Sequence, residues 1–201
     1  MTWIKTIPYA QADESLLKLY DRVKGPDNNV DNIMLAHSLR PHSMTGHMAL
    51  YKNVLHHYRN TVDKWLLELI GVYTSMLNKC SYCVEHHFVG MTKLLNDAAH
   101  ARNIRDALAL EDWGDIFDEK TKAALVYARN LTEHPSTIAE KDINSLLEAG
   151  WDDGEVLEIN QVVAYFNYAN RTVLGLGINT DGDELGLSPG DSSDENNWQH
   201  R

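Results

Sequence analysis

Residues 68–87 read ELIGVYTSMLNKCSYCVEHH. The stretch holds both cysteines of the chain, Cys80 and Cys83, as a C-x-x-C pair. His86 and His87 follow the second cysteine by three and four residues, and Glu68 precedes the first by twelve. On a helix, positions i, i+3 and i+4 share a face, so Cys80 meets Cys83, and Cys83 lies beside both histidines. A helix starting at Cys80, with Asn78 near its cap, puts both thiols in the first turn. Unpaired N–H groups and the helix dipole there favour a thiolate, and a histidine one turn on can take the thiol proton.

Glu68 joins this group only if the chain reverses. On one continuous helix it lies about 18 Å from Cys80 by the helical rise. If the chain turns at Asn78-Lys79, Glu68 lies about 14 Å back from the bend and His87 about 12 Å beyond it, nearly level across a hairpin. A relay from Glu68 through His87 to Cys83 is then allowed. Leu66, Leu67, Leu69 and Ile70 flank Glu68 and argue against its being a solvated surface acid.

The chain outward from this stretch reads as helix. Asp13 can cap a segment with Leu16, Leu17, Leu19, Tyr20 and Val23 at helical spacing, closed by Gly25-Pro26. A short apolar run, 30–39, stops at Arg40-Pro41. Pro41–Tyr58 follows, with Pro41 in its first turn and Met44, Met48, Leu50, Tyr51, Val54 and Leu55 on its buried side. The next helix, 61–78, capped by Thr61 or Asp63, is apolar nearly all round, as a central helix is. The cysteine helix runs to Leu95, with a continuation over 97–102 and shorter pieces at 104–110 and 111–115, the Trp113-Gly114 region reading as a turn. Helices over 118–131, 139–149 and 153–173 follow, the last ended by Gly175 and Gly177. No period-two strand pattern is present, so the class is all-α: one helical domain over 1–178. The remainder, 179–201, is an acidic tail, extended or partly disordered, whose Leu185, Leu187 and Trp198 can dock it on a neighbour. An echo of Asp63-x-x-x-Leu67-Glu68-Leu69 at Asp153-x-x-x-Leu157-Glu158-Ile159 is compatible with a helix-pair duplication or with coincidence.

Composition narrows the classes. The 201 residues suffice for one domain with a real core. Net charge is −11, of which the last 21 residues carry −5, and no basic block offers a footprint for nucleic acid. No apolar run reaches the ~20 residues of a membrane helix, and MTWIKTIPYA has no signal-peptide core, so the expectation is a cytoplasmic protein with no membrane partner. A bond between cysteines three apart closes a tiny loop and stabilises little, which favours a chemical use of the pair. Zinc held by Cys80, Cys83, His87 and Glu68 is the serious rival, though the second C-x-x-C or spaced histidine pair usual for structural zinc is missing. A thioredoxin-like module places its C-x-x-C after a strand of a mixed sheet, and none is readable here.

Taken together, Glu68, eleven residues, Cys80-x-x-Cys83, three residues and His87 resemble the E-x11-C-x-x-C-x3-H signature of AhpD-like alkyl hydroperoxidases, in the carboxymuconolactone decarboxylase superfamily. The segment LAHSLRP before a long helix and the run 164–171 (AYFNYANR) into Leu174-Gly175-Leu176-Gly177 are similar to the peroxidase-related branch, so the resemblance spans roughly residues 10–178. It implies an all-α bundle built on a helix hairpin, a homo-oligomer (trimer or hexamer), and a thiol peroxidase without cofactor or metal. It makes Cys83 the peroxidatic cysteine, Cys80 its resolving partner in a Cys80–Cys83 disulfide, His87 the base and Glu68 the residue that polarises it, with Tyr82 and His86 in support. A hydroperoxide is the implied substrate, and a dithiol carrier, a lipoylated or thioredoxin-like protein, the implied reductant. One position departs from the pattern: where characterised peroxidases carry a histidine before the second cysteine, this chain has Tyr82, a poor base near neutral pH. Two other readings stand beside this one: a protein disulfide oxidoreductase or redox sensor, and a non-redox enzyme of the lactone decarboxylase kind or a metal-binding module.

Overall fold

The described residues of the computed structural model are 1–190, 193–194 and 197–200. They form nine α-helices: α1 (Glu14–Val23), α2 (Asn32–Ala36), α3 (Pro41–Leu55), α4 (Lys64–Leu77), α5 (Ser81–Leu95), α6 (Ala98–Leu110), α7 (Glu119–Glu133), α8 (Glu140–Glu148) and α9 (Asp153–Leu176). The only pairing of extended backbone among those residues is an isolated antiparallel bridge between Pro189 and His200. The class is all-α.

α4 is the centre. Every residue from Leu66 to Ser75 is buried, and α3, α5, α7 and α9 pack around it. Its closest approach to α9 is at Gly71, where a Cβ would stand 2.1 Å from the Phe166 ring, so no larger residue fits without moving that ring. α4 and α5 form an antiparallel hairpin. The bend is Asn78-Lys79-Cys80, with Lys79 in the left-handed region at φ 58° and Cys80 N–H donating back to the Ser75 carbonyl. Asn78 Nδ2 donates to Asn167 Oδ1 and Asn170 Oδ1 of α9, which ties the bend to the longest helix.

Several local expectations are corrected. Cys80 is the residue before α5, not its first helical residue. The pieces expected at 97–102 and 104–110 are one helix, α6, capped by the Asp97 side chain, and 111–115 is turn, because Glu111 adopts φ 53°. Gly175 lies inside α9, and Gly177 alone, at φ 61°, ends it. Asp63 makes no side-chain cap; Glu158 of α9 reaches across to accept from Thr61 N and Val62 N. Leu50 is exposed, and His47 and Lys52 take buried places on α3. These last two depend on partners about 100 or more residues distant, which local periodicity does not contain.

The extended arm expected over 179–201 falls in part on residues 191–192, 195–196 and 201, which lie outside the described residues; the remainder packs on the domain. Its described residues fold back on the domain over α2, α3 and α5. Asp183 accepts from Asn32 N, Lys93 Nζ donates to the Gly186 carbonyl, and Lys52 Nζ donates to the Gly190 carbonyl. Gly186, at φ 75°, comes so close to α5 that a Cβ there would stand 2.3 Å from Val89. Leu187, Trp198 and His200 are buried, with the Arg22 guanidinium 3.8 Å over the Trp198 ring.

Candidate active site

The hairpin brings the sequence-selected residues together. Cys80 and Cys83 are free thiols, both buried, with their sulfurs 3.0 Å apart across the first turn of α5. Across the bend, His87 Nδ1 lies 2.6 Å from Glu68 Oε2. With the carboxylate ionised, Nδ1 carries the hydrogen and donates it, which leaves the Nε2 lone pair as the basic atom. His87 also packs edge-on against Phe166, ring centres 4.6 Å apart, so its plane is fixed on a second side. The described residues contain no hydrogen bond between His87 and Cys83.

The two thiols differ. Cys83 lines a pocket, together with Glu68, His87, Tyr51 and Tyr165, whereas Cys80 is not part of its lining. The hydrogen bond between the sulfurs, helped by the Cys83 backbone N–H and by Asn170, holds the Cys80 thiol below its ordinary range against the cost of burial. The same bond keeps the proton on Cys83, and burial and the neighbouring sulfur add to it, so the Cys83 thiol is pushed well above the usual range. Asn170 is itself fully buried and donates to Ser75 Oγ.

Tyr82 and His86 line the same pocket and also reach the tail. Tyr82 Oη donates to Asp183 Oδ2 at 2.8 Å and accepts from Ile33 N at 3.3 Å. His86 Nε2 lies 3.2 Å from the same carboxylate oxygen, and its ring is tilted by 36° against that of Tyr82, with centres 4.5 Å apart. Both residues therefore anchor the tail. In the characterised peroxidases the position of Tyr82 holds a histidine that relays protons; here its hydroxyl is engaged with Asp183.

Other groups at the site carried no signal in their local sequence. His56 Nε2 stands 3.7 Å from Glu68 Oε1, buried, and burial holds that imidazole well below its ordinary range. His47, on α3, reaches Tyr165 Oη at 3.4 Å, and burial lowers it to about 3. His200, from the tail, stacks at 6.4 Å on Tyr51 and is lowered by burial to about 4. Asp31, next to Asn32 at the start of α2, is pushed up to about 7 by burial, with His86 opposing and Asp183 and Glu184 adding to the shift. Tyr51 is the hub: its ring contacts those of His56, His87, Tyr165 and His200. None of these residues lies at a fixed spacing from the cysteines, so pattern reading had no handle on them. Among the described residues, no three His, Cys, Asp or Glu side chains converge in a way that could hold a metal ion.

This arrangement of helices recurs in solved structures. An uncharacterised peroxidase-related protein from Ralstonia eutropha JMP134, described as an alkylhydroperoxidase AhpD core, superposes with a TM-score of 0.76 at 21% identity, covering 90% of this chain and 93% of that one. The fold is AhpD-like. An uncharacterised peroxidase-related protein from Silicibacter sp. TM1040 gives a TM-score of 0.78, also at 21% identity and the same coverage. The debrominase Bmp8 has the same fold at a TM-score of 0.68 and 17% identity, covering 84% of this chain and 87% of its own, so AhpD-like helices frame more than one chemistry. By sequence, the uncharacterised protein YdfG of Bacillus subtilis (strain 168) is 20% identical over 121 residues, which is 59% of this chain and 78% of YdfG. No protein-family profile matches the chain.

Proposed function

We propose that the protein is a thiol-dependent peroxidase whose attacking group is Cys83. The observation that carries this reading is a single juxtaposition: a pocket-facing thiol with a second sulfur 3.0 Å behind it, on the same hairpin as an imidazole oriented by a buried carboxylate. The AhpD-like fold and the motif resemblance support it.

The cycle needs no atom the site cannot supply or a dithiol cannot bring. His87 Nε2 takes the proton of Cys83, whose raised pKa makes a base necessary, and Glu68 stabilises the imidazolium that forms. The Cys83 thiolate attacks the terminal oxygen of the hydroperoxide R–O–O–H. The O–O bond breaks, a sulfenic acid forms on Cys83, and the leaving alkoxide takes the proton back from His87 as an alcohol, or as water when R is hydrogen. Cys80 then attacks the sulfenic sulfur. Its own proton leaves with the hydroxyl as water, and the Cys80–Cys83 disulfide closes. The low pKa of Cys80 suits this resolving step. An external dithiol reduces the disulfide by exchange and is itself oxidised to a disulfide. A lipoyl group on a carrier protein fits that task, because a thin arm reaches a buried bond that a folded protein surface does not. The same burial of both sulfurs argues against a protein disulfide as the substrate. A homo-oligomer, trimeric or hexameric, is part of this reading; Leu157 and Tyr168, exposed apolar residues of α9, are available for subunit contact.

Peroxide consumption with dihydrolipoamide as reductant tests the proposal. Wild type turns over, Cys83→Ser falls to background, and Cys80→Ser stops after one equivalent with Cys83 oxidised. Full turnover by Cys83→Ser would overturn it.

A further inference from the structure

We propose that the carboxy-terminal residues 183–190 and 197–200 roof the pocket in front of Cys83 and restrict its substrate to hydrogen peroxide and comparably small, uncharged hydroperoxides. The proposal rests on the thiol peroxidase reading and names the substrate class for that site.

The roof is made of identifiable parts. Gly186, Leu187, Ser188 and His200 line the same cavity as Cys83 and His87. Each end of the first segment is pinned to a different helix. Asp183 is held by Tyr82 Oη, His86 Nε2 and Asn32 N, Gly186 by Lys93 of α5, and Gly190 by Lys52 of α3. The bridge from Pro189 to His200 ties the last residues to that segment and turns the His200 ring over Tyr51.

Size follows from this lining. The cavity volume is about 40 Å³. A single water needs about 10–15 Å³ on such a measure, and pockets for drug-sized ligands run to about 300–1,000 Å³. Two linked oxygen atoms fit in that volume, and a rigid aryl group does not.

The lining sets the charge. His47 and His200 are neutral at physiological pH, because burial holds them to about 3 and about 4, and the Tyr51 and Tyr165 hydroxyls keep their protons. The carboxylate of Glu68 opens on the same space. Asp31 and His86 line the same pocket, Asp31 pushed up to about 7 by burial, so the acids of the wall disfavour a peroxy anion while its neutral groups offer hydrogen bonds to an uncharged molecule. His47 and His200 each leave Nδ1 buried without a partner among the described residues, and an unmade buried hydrogen bond costs about 1–3 kcal/mol. A small O–H-bearing ligand can satisfy such atoms.

The test uses the full-length chain as wild type, Leu187→Ala and Asp183→Asn. The first variant opens the roof by side-chain volume and the second loosens its pin, so a folding defect in one leaves the other. Two ratios are read. One is kcat/KM for cumene hydroperoxide over that for hydrogen peroxide. The other is the rate of Cys83 modification by N-phenylmaleimide over that by methyl methanethiosulfonate, each normalised to glutathione. Wild type favours the small reagent in both, and either variant raises both ratios by about tenfold or more, the discrimination that a few methylene groups of space allow. Equal use of both peroxides by wild type, or ratios unchanged in both variants, would overturn the proposal. If wild type consumes neither peroxide, the peroxidase reading falls and takes the substrate assignment with it; the thiol-modification ratio, which needs no turnover, still decides whether the roof is real.

Discussion

The cavity has two walls of different construction. The hairpin of α4 and α5 is held by apolar packing on all sides, with Leu67, Leu69, Ile70 and Val72 fully buried beneath Glu68. The tail opposite is held by a few polar pins, a leucine, and one aromatic ring under an arginine. Disruption of the first costs global stability, because its residues are shared with the core. The second can open at a local cost, as segments with few buried contacts do. On the proposed peroxidase reading, fixed geometry holds the imidazole and carboxylate, and the adjustable wall faces them.

The largest effect expected from breaking this contrast is on the hairpin's chemistry. Glu68→Gln keeps the size of the side chain but removes the charge that stabilises the His87 imidazolium. Peroxide turnover should fall by about 10²-fold or more, within the range for general acid–base groups. Steady-state kinetics across pH checks this, and an unchanged pH profile would mean that Glu68 only packs.

Next is the packing beneath it. Gly71→Ala places a methyl against the Phe166 ring, an overpacking cost of about 1–3 kcal/mol. The urea midpoint should drop accordingly. Leu187→Ala, in the roof, should move the global midpoint less than Gly71→Ala does, because the tail opens before the core. Equal losses would erase the distinction between the two walls.

A further effect reads the buried imidazoles. His47, His56 and His200 are all held below their ordinary range by burial. The unfolded chain therefore binds protons that the folded one refuses, and stability falls as pH falls below about 6.5. Each such histidine contributes a loss of about 1.4 kcal/mol between pH 7.5 and 5.5. Asp31, with its folded value raised to about 7, works in the opposite sense: its neutral form is favoured as pH falls, which offsets roughly one histidine. The net expectation is a lower urea midpoint at pH 5.5 than at 7.5, with the difference reduced in His200→Gln.

The same two walls differ in how far the sequence discloses them. The hairpin is written in local spacing. Helical period, a Cys-x-x-Cys start and the interval from Glu68 to His87 are enough to place the carboxylate level with the imidazole once the chain turns at Asn78-Lys79. The tail is written in pairings across more than a hundred residues: Asp183 with Asn32 and Tyr82, Gly190 with Lys52. An acidic segment rich in Gly and Ser reads as an extended arm; its Leu185, Leu187 and Trp198 signal that it can dock, but nothing within it names the partner. Asp183 is held by Asn32, Tyr82 and His86, whose own spacing names no partner in the tail. His47, His56 and His200 escape notice for the same reason. A lone histidine on an apolar face signals nothing until the fold shows which cavity it lines. Tyr82 falls between the two cases. Its departure from the histidine of the resembled family is visible in the motif, but its contact with Asp183 requires the fold.

The central claim is that Cys83 attacks and Cys80 resolves. The most direct measurement is mass spectrometry of Cys80→Ser and Cys83→Ser, each treated with one equivalent of hydrogen peroxide in the presence of dimedone, which captures sulfenic acids. The account predicts a dimedone adduct on Cys83 in the Cys80→Ser protein and none in the Cys83→Ser protein. An adduct on Cys80 in the Cys83→Ser protein, formed at the wild-type rate of peroxide loss, would contradict it.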